Sequence, residues 1–339
     1  MTSCWRIKRD KKPEMETAFM KNGGMLLEKL IASCDGKCNP LRIYPADELK
    51  RATNDYDPQK IITRDSGYKL YKGVLQQRPV SVKKFKENSE QYEYCFNDIV
   101  FASQMSVHKN FLKLLGCCLE TKIPILVFES VEDGSLADRL YGPNKTHFEP
   151  LLWTQRLKIA MEIANAIAYL HAAFPKPIVF RNIKPLNIFL DESHVAKLSD
   201  FSLAVSIPEG ESHVKDFVAG GLGLIAPEYC TTNCFNEKQD VFNFGIFLLM
   251  LLTGQMAVDP RRELVLVDHV KKYIEDDRFN DIVDSIIVEE GSWLGKYQQL
   301  QTFKVLSIRC ISESEEDRPE MIDVAKELRQ MYKSAISPS

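Results

Sequence analysis

The hydrophobic period of this chain changes part-way along, and that change limits its fold more than any single residue does. From about residue 60 to 130 the pattern favours strands with one helix. Arg78-Pro-Val-Ser-Val-Lys-Lys-Phe85 sets Val80 and Val82 against Ser81 and Lys83, a strand signature, and Ile125-Leu-Val-Phe128 reads as a short buried strand. Residues 90–106 supply the helix. After Gly134 the pattern becomes mainly helical. Thr154 to Phe174 lines up Leu157, Ala160, Ile163, Ala164, Ile167 and Leu170 on one side, and Asp240 to Leu252 is almost wholly apolar, so it predicts a central buried helix. No internal repeat is visible. This order predicts an α+β chain, with a small β-rich lobe followed by a larger α-helical one.

Composition narrows the function classes. The chain is 45% hydrophobic and 27% charged, ordinary for a globular protein, and its net charge of −3 gives no basis for a nucleic-acid partner. The longest apolar run, Phe244 to Leu252, is far too short to cross a bilayer, and no N-terminal hydrophobic stretch marks a secretory signal. Nine scattered cysteines, an odd number, point to free thiols in a reducing, cytoplasmic compartment. Cys34 and Cys38 are spaced C-x3-C and Cys117-Cys118 are adjacent, but no His/Cys pair completes a zinc pattern, so no metal site is expected from them. They read as small buried hydrophobes. Arg6, Lys8, Arg9, Lys11 and Lys12 lie beside Cys4. They form either a solvated basic tail or, with an acyl chain on Cys4, a pair of weak signals for peripheral attachment at the plasma membrane. Thr2 excludes N-myristoylation, which needs glycine there.

Three regions follow: residues 1–58 as a basic tail and helical extension, 59–331 as the main domain (N-lobe 59–131, C-lobe 132–331), and 332–339 as a tail. In the extension, Asn22-Gly23-Gly24 reads as a breaker. A helix should follow, with positions 26, 27, 30 and 31 on one face and Asp35-Gly36 as its end. A second short helix is predicted from Pro45 to Asn54. Their apolar faces must dock on this chain's own domain or on a partner.

Residues 180–187 read Phe-Arg-Asn-Ile-Lys-Pro-Leu-Asn. This resembles the protein-kinase catalytic loop H-R-D-x-x-x-x-N with Asn182 at the place of the Asp. That Asp accepts the substrate hydroxyl proton. A neutral carboxamide cannot, and losing a positioned base costs a factor of roughly 10² to 10⁴. Other motifs fall in order. Val80-Ser-Val-Lys83 resembles V-A-I-K, Asp200-Phe-Ser202 resembles D-F-G, Ala226-Pro-Glu228 matches A-P-E, and Asp240-Val-Phe-Asn-Phe-Gly245 resembles the central-helix motif. From about residue 60 to 331 the chain thus resembles the protein kinases, which implies the bilobal kinase fold.

The resemblance also assigns roles. The three glycines of the phosphate-covering loop fall on Thr63, Asp65 and Tyr68, with Gly67 out of register. Asp65 would set negative charge beside phosphate, and a Cβ blocks close backbone approach. Lys83 would face the α- and β-phosphates, with Asp98 replacing its usual Glu partner one methylene shorter; the bland alternative is an exposed strand lysine. Asp200 and Asn187 would be the magnesium ligands and Lys184 would steady the transferred phosphate, so this set implies residual, weak ATP–Mg²⁺ binding with no cofactor required. Phe180 replaces the usual His, and Ser202 the usual Gly. In the activation segment, Leu203 to Ile225, Lys215 and Asp216 stand at the usual phosphosites and Gly221 replaces a Thr. Arg181, which would clamp a phosphate there, has little to hold. The segment is therefore expected to be free until a partner orders it. Glu228 and Arg318 should form the buried pair that ties it to the C-lobe.

Leu114-Leu-Gly-Cys-Cys-Leu-Glu120 and Pro227-Glu-Tyr229 give a plant receptor-like flavour, and Lys21-Asn-Gly-Gly-Met-Leu-Leu27 resembles the juxtamembrane part of wall-associated kinases. Without a membrane span, the chain is similar to the ZED-related pseudokinases, a receptor-like cytoplasmic group. That resemblance implies a pseudokinase adaptor or decoy in plant innate immunity. Its partners would be an intracellular nucleotide-binding leucine-rich-repeat receptor, other cytoplasmic kinases and a bacterial effector. Two alternatives stay open: a weakly active, atypical Ser/Thr kinase in defence signalling, and a switch that binds ATP without turnover.

Overall fold

The computed structural model describes residues 12–34, 41–131, 134–142, 149–291 and 295–336. Cys4, Cys38 and nearly all of the basic tail lie outside them. The chain divides into two compact units. One is Met1–Ser106 with Lys113–Glu132; the other is Val107–Leu112 with Asp133–Ser339.

The first unit runs α1 (Lys12–Cys34), β1 (Arg42–Ile43), α2 (Ala46–Ala52), β2 (Ile61–Arg64), β3 (Tyr68–Leu75), β4 (Arg78–Phe85), α3 (Ser89–Met105), β5 (Leu114–Cys118) and β6 (Ile125–Glu129). Its six-stranded sheet has the order β1-β5-β6-β4-β3-β2. Neighbours are antiparallel except β1 on β5. The strand β1, which the sequence reading missed, needs Gly116: a Cβ there would come within 2.0 Å of the Arg42 carbonyl oxygen. The alternation along β4 makes the strand, but both of its faces are covered. Ser81 and Lys83 are buried like Val80 and Val82, and the Ser81 hydroxyl accepts the Val131 N–H at 3.0 Å.

The extension departs from its sequence reading. No break occurs at Asn22-Gly23-Gly24; α1 runs straight through. Each mid-helix glycine costs about 1 kcal/mol relative to alanine. The anchor that offsets this is Asn22, which is buried. Its amide donates to the carbonyls of Leu119 and Thr121 at 2.8 and 2.9 Å, and its oxygen accepts from the Tyr92 hydroxyl at 3.1 Å. That anchor also sets the helix rotation. The inward stripe is Met15, Ala18, Asn22, Leu26 and Leu30, while Leu27 and Ile31 face out. The helix docks on α3. Next, α2 starts where the Glu120 carboxylate accepts the Ala46 N–H at 2.7 Å. It buries Ala46, Leu49 and Ala52 with Tyr71, Leu75, Val80 and Val82 of the sheet. Both helices of the extension thus pack on this chain's own unit.

The second unit contains α4 (Leu136–Leu140), α5 (Trp153–Ala172), β7 (Ile178–Val179), β8 (Ile188–Leu190), β9 (Ala196–Leu198), β10 (Val205–Ser206), β11 (Val214–Lys215), α6 (Pro227–Thr232), β12 (Cys234–Phe235) and α7 (Lys238–Thr253). After β13 (Val258–Asp259) and β14 (Leu264–Val265) come α8 (Leu266–Glu275), α9 (Ser285–Glu289), α10 (Lys296–Cys310) and α11 (Met321–Ile336). As the run of apolar residues predicts, α7 is buried from Gln239 to Thr253. It packs between α5 and α10. No described helix is long and apolar enough to cross a membrane.

Cys95, Cys117, Cys118 and Cys310 are buried and free. Burial pushes Cys117 and Cys310 up to about 12 and Cys118 up to about 11, and raises Cys95 well above the ordinary thiol range. Only the thiolate reacts. In the native protein at pH 8, a thiol reagent should therefore modify exposed Cys230 and spare these four, as read by peptide mapping. Labelling of any of the four before unfolding would contradict this packing.

Candidate functional site

The loop at residues 180–187 is held by helix α7. Asp240, fully buried in its first turn, accepts the N–H groups of Phe180 and Arg181 at 2.7 Å each and contacts His171 Nε2 at 2.9 Å. Asn243 accepts the Ile183 N–H at 2.7 Å. These contacts hold Arg181 in a left-handed backbone conformation, φ 62°, which a non-glycine residue adopts only under such constraint. The hairpin β8–β9 then brings Asn187 and Asp200 close, for Ser199 donates both its N–H and its hydroxyl to the Asn187 carbonyl.

Between them sits Asn182. Its carboxamide nitrogen donates to Asp200 Oδ2 at 2.8 Å and to the Asp200 carbonyl at 3.3 Å. Its backbone carbonyl accepts from Asn187 Nδ2 at 3.1 Å. All three residues are buried. An aspartate could not make the first contact, since an ionised carboxylate has no donor. At the place that the resemblance gives to the base, the chain carries a neutral donor that meets the Asp200 carboxylate from within the chain. Lys184 is half-buried and opens the short turn Pro185–Asn187. Phe180 lies edge-on to Phe201 with ring centroids 5.1 Å apart, and Phe111 meets the same ring at 5.3 Å. Phe180, at the place where the resemblance implies a histidine, is thus part of an apolar column.

In the first unit, Lys83 Nζ lies 2.6 Å from Asp98 Oδ2. The shorter carboxylate reaches. Lys83 is 3% exposed and Asp98 not at all, so this is no exposed strand lysine. The ammonium also faces the rings of Tyr68 and Phe85, at 3.9 and 4.8 Å. Tyr68, at a glycine place of the phosphate loop, has turned its bulk onto this lysine. The turn before it is closed by the Asp65 N–H to the Tyr68 carbonyl at 3.0 Å. The Ser66 N–H donates to Asp65 Oδ1 at 2.6 Å. A carboxylate of the chain already takes the turn amide that a phosphate would seek.

The residue types that would hold ATP–Mg²⁺ are present, but they do not fit the group as they are disposed. In the first unit Tyr68 covers the Lys83 ammonium and Asp65 takes the turn amide; in the second, Asp200 receives the Asn182 amide. Among the described residues no group of three or more His, Cys, Asp or Glu could hold a metal ion.

The activation segment corrects the sequence reading. It is not left free. Arg181, buried, donates to the Leu203 carbonyl at 2.6 Å, to Asp216 Oδ2 at 3.1 Å and to the Tyr229 hydroxyl at 2.9 Å. Its guanidinium lies 4.5 Å from the centre of the Phe235 ring. Asp216 supplies the anion, and β11 pairs antiparallel with β12. The signal in the sequence is the acidic residue at 216; the expectation of a free segment leaves its pairing with Arg181 out of account. Tyr229 enters the sequence reading only within Pro227-Glu-Tyr229, with no role in holding the segment. At the end of the segment, Arg318 meets Glu228 through two parallel hydrogen bonds of 2.6 and 2.8 Å, and its Nε donates to the Ser312 carbonyl at 2.9 Å. This bidentate geometry is that of a strong tie between the end of the segment and residues 312–318.

Comparison with known proteins agrees with this geometry. Residues 65–328 match the family described as protein tyrosine and serine/threonine kinase. The chain is 43% identical to "Non-functional pseudokinase ZED1" of Arabidopsis thaliana, over 93% of this chain and 96% of that protein. It is 39% identical to "Serine/threonine-protein kinase ZRK1" of the same plant, over 96% and 95%. With "Putative wall-associated receptor kinase-like 16" it shares 36%, over 94% of this chain and 73% of that protein.

Proposed function

We propose that this chain, which belongs to the protein tyrosine and serine/threonine kinase family, is a pseudokinase: a bilobal fold kept for binding, with phosphoryl transfer given up. The observation that carries this reading is the hydrogen bond from Asn182 to the Asp200 carboxylate. The position of the general base has become an internal partner of the metal-site carboxylate. Residual ATP–Mg²⁺ binding must displace that contact and the Tyr68 ring over the Lys83 ammonium, so it is weak.

In the plant-immunity setting that the ZED-related resemblance implies, the chain acts as an adaptor or decoy. It links an intracellular nucleotide-binding leucine-rich-repeat receptor to cytoplasmic kinases modified by a bacterial effector, and 203–225 is part of its contact surface. Support for that surface is the exposure of Phe217, Val218 and Leu222 on a backbone pinned from below. The chain works in the cytoplasm, or at the inner face of the plasma membrane if Cys4 is acylated. A second reading, a weakly active kinase, is favoured by the retention of Lys83, Lys184, Asn187 and Asp200 together.

The test is phosphotransfer by purified protein with ATP and either Mg²⁺ or Mn²⁺, against Asp200→Asn as the blank. Incorporation equal to the blank is the expected result, and incorporation well above it would establish the second reading. In the same series, exchanging 203–225 for the segment of an active relative should abolish capture of the receptor while the fold is kept. Unchanged capture would sink the adaptor role assigned to this surface.

A further inference from the structure

The Arg181 pocket holds an anion with its own scaffold. Asp216 Oδ2 faces the guanidinium, its Oδ1 accepts the Phe217 N–H at 2.9 Å, and its N–H donates to the Asn233 carbonyl at 2.9 Å. The Tyr229 hydroxyl completes the arrangement. It donates to the Phe217 carbonyl at 2.6 Å and accepts from the Ala219 N–H and from Arg181, at 3.2 and 2.9 Å. One donor and two lone pairs are all a hydroxyl has. Residues 216–219 are therefore fixed from three sides. A guanidinium this buried requires an anion beside it. Ser212, the only hydroxyl of the central segment, is turned to His213 Nδ1 at 2.9 Å.

We infer that Asp216 is a built-in carboxylate substitute for an activating phosphate, so that the segment is ordered in the unmodified protein and no upstream kinase gates it. A carboxylate carries one charge and two oxygens where a phosphate carries about −1.5 to −2 and three. The hold is weaker per contact but permanent. Its consequence, and only its consequence, rests on the function proposed above: Phe217, Val218 and Leu222 are presented to a partner at all times, and recognition there is independent of phosphorylation.

Amide hydrogen exchange on the full chain, shown by intact mass to carry no phosphate, tests this without any partner. Residues 214–219 of the wild type should be protected. In Asp216→Ala their exchange, corrected for intrinsic rates, should rise at least about tenfold, the effect of losing a hydrogen bond to a charged group, while α7 stays unchanged. Unprotected exchange over 214–219 in the unphosphorylated wild type would overturn the inference, as would unaltered rates in Asp216→Ala. Should that variant fail to fold, Asp216→Asn, which keeps the shape and loses the charge, gives the same readout. A variant with a loosened segment that still captures the receptor would overturn the proposed contact surface and leave this inference standing.

Discussion

Lys83→Met should destabilise the protein by about 3–5 kcal/mol, the cost of leaving a buried charge without its partner. Asp98 is completely buried, and no solvent reaches it to replace the ammonium 2.6 Å away. Denaturant unfolding measures the loss. An unpaired buried carboxylate titrates upward. The folded variant then holds a proton that the unfolded chain releases near pH 4, so its stability falls as pH rises from there. Its deficit is smallest in mild acid and full at neutral pH. Adding Asp98→Leu should recover most of the loss, because apolar groups of similar volume often replace a buried pair without penalty. A single variant that loses less than about 1 kcal/mol, the range of exposed pairs, would mean that the pair is not buried as described. The substitution commonly used to silence a kinase is thus a stability mutant in this chain, which is why Asp200→Asn serves as the phosphotransfer blank.

Asn182→Asp is expected to give a less stable protein and still no enzyme. It would set a carboxylate where the amide now donates to Asp200 at 2.8 Å. Two carboxylates so close cannot both ionise without a cation, and one is pushed up in pKa. Loss of the donor to a buried anion costs about 1–3 kcal/mol, on the order of a 2–10 °C fall in Tm for a domain this large. Here too the raised carboxyl makes the deficit grow as pH rises above about 4. Mg²⁺ should recover stability in the variant more than in the wild type, because a cation can neutralise both carboxylates at once. Phosphotransfer should stay at the blank: Tyr68 still covers Lys83, and Asp65 still holds the Ser66 amide. Activity restored by this one change would show that only the base was missing and would overturn that account of the phosphate loop.

The order of motifs made the fold legible, since each of its strands and helices carries its own period. The apolar run of α7 and the alternation of β4 are local facts. Asn182, Asp200, Asn187 and the Glu228–Arg318 pair were legible for a similar reason, because each sits at a fixed spacing within a motif, whereas Asp98 was legible only as the carboxylate on the helix after Lys83. The failures share a cause as well. Gly23 and Gly24 favour a break locally, and only the docking of Asn22 onto the carbonyls of Leu119 and Thr121, about a hundred residues away in the chain, decides otherwise. The outward turn of Leu27 and Ile31 follows from that same anchor. The strand β1 has two residues and no periodicity to read.

The sequence by itself determined which groups are missing: no carboxylate at 182, no phosphate-loop glycines in register, no hydroxyl at 216. It could not say what those positions do instead, because a replacement is defined by what it touches. Tyr68 on Lys83, Asn182 on Asp200 and Asp216 on Arg181 are contacts between residues 15 to 35 positions apart. Only the tertiary structure brings such groups into contact, where an ammonium over a ring, or a donor and an acceptor shielded from water, hold each other firmly.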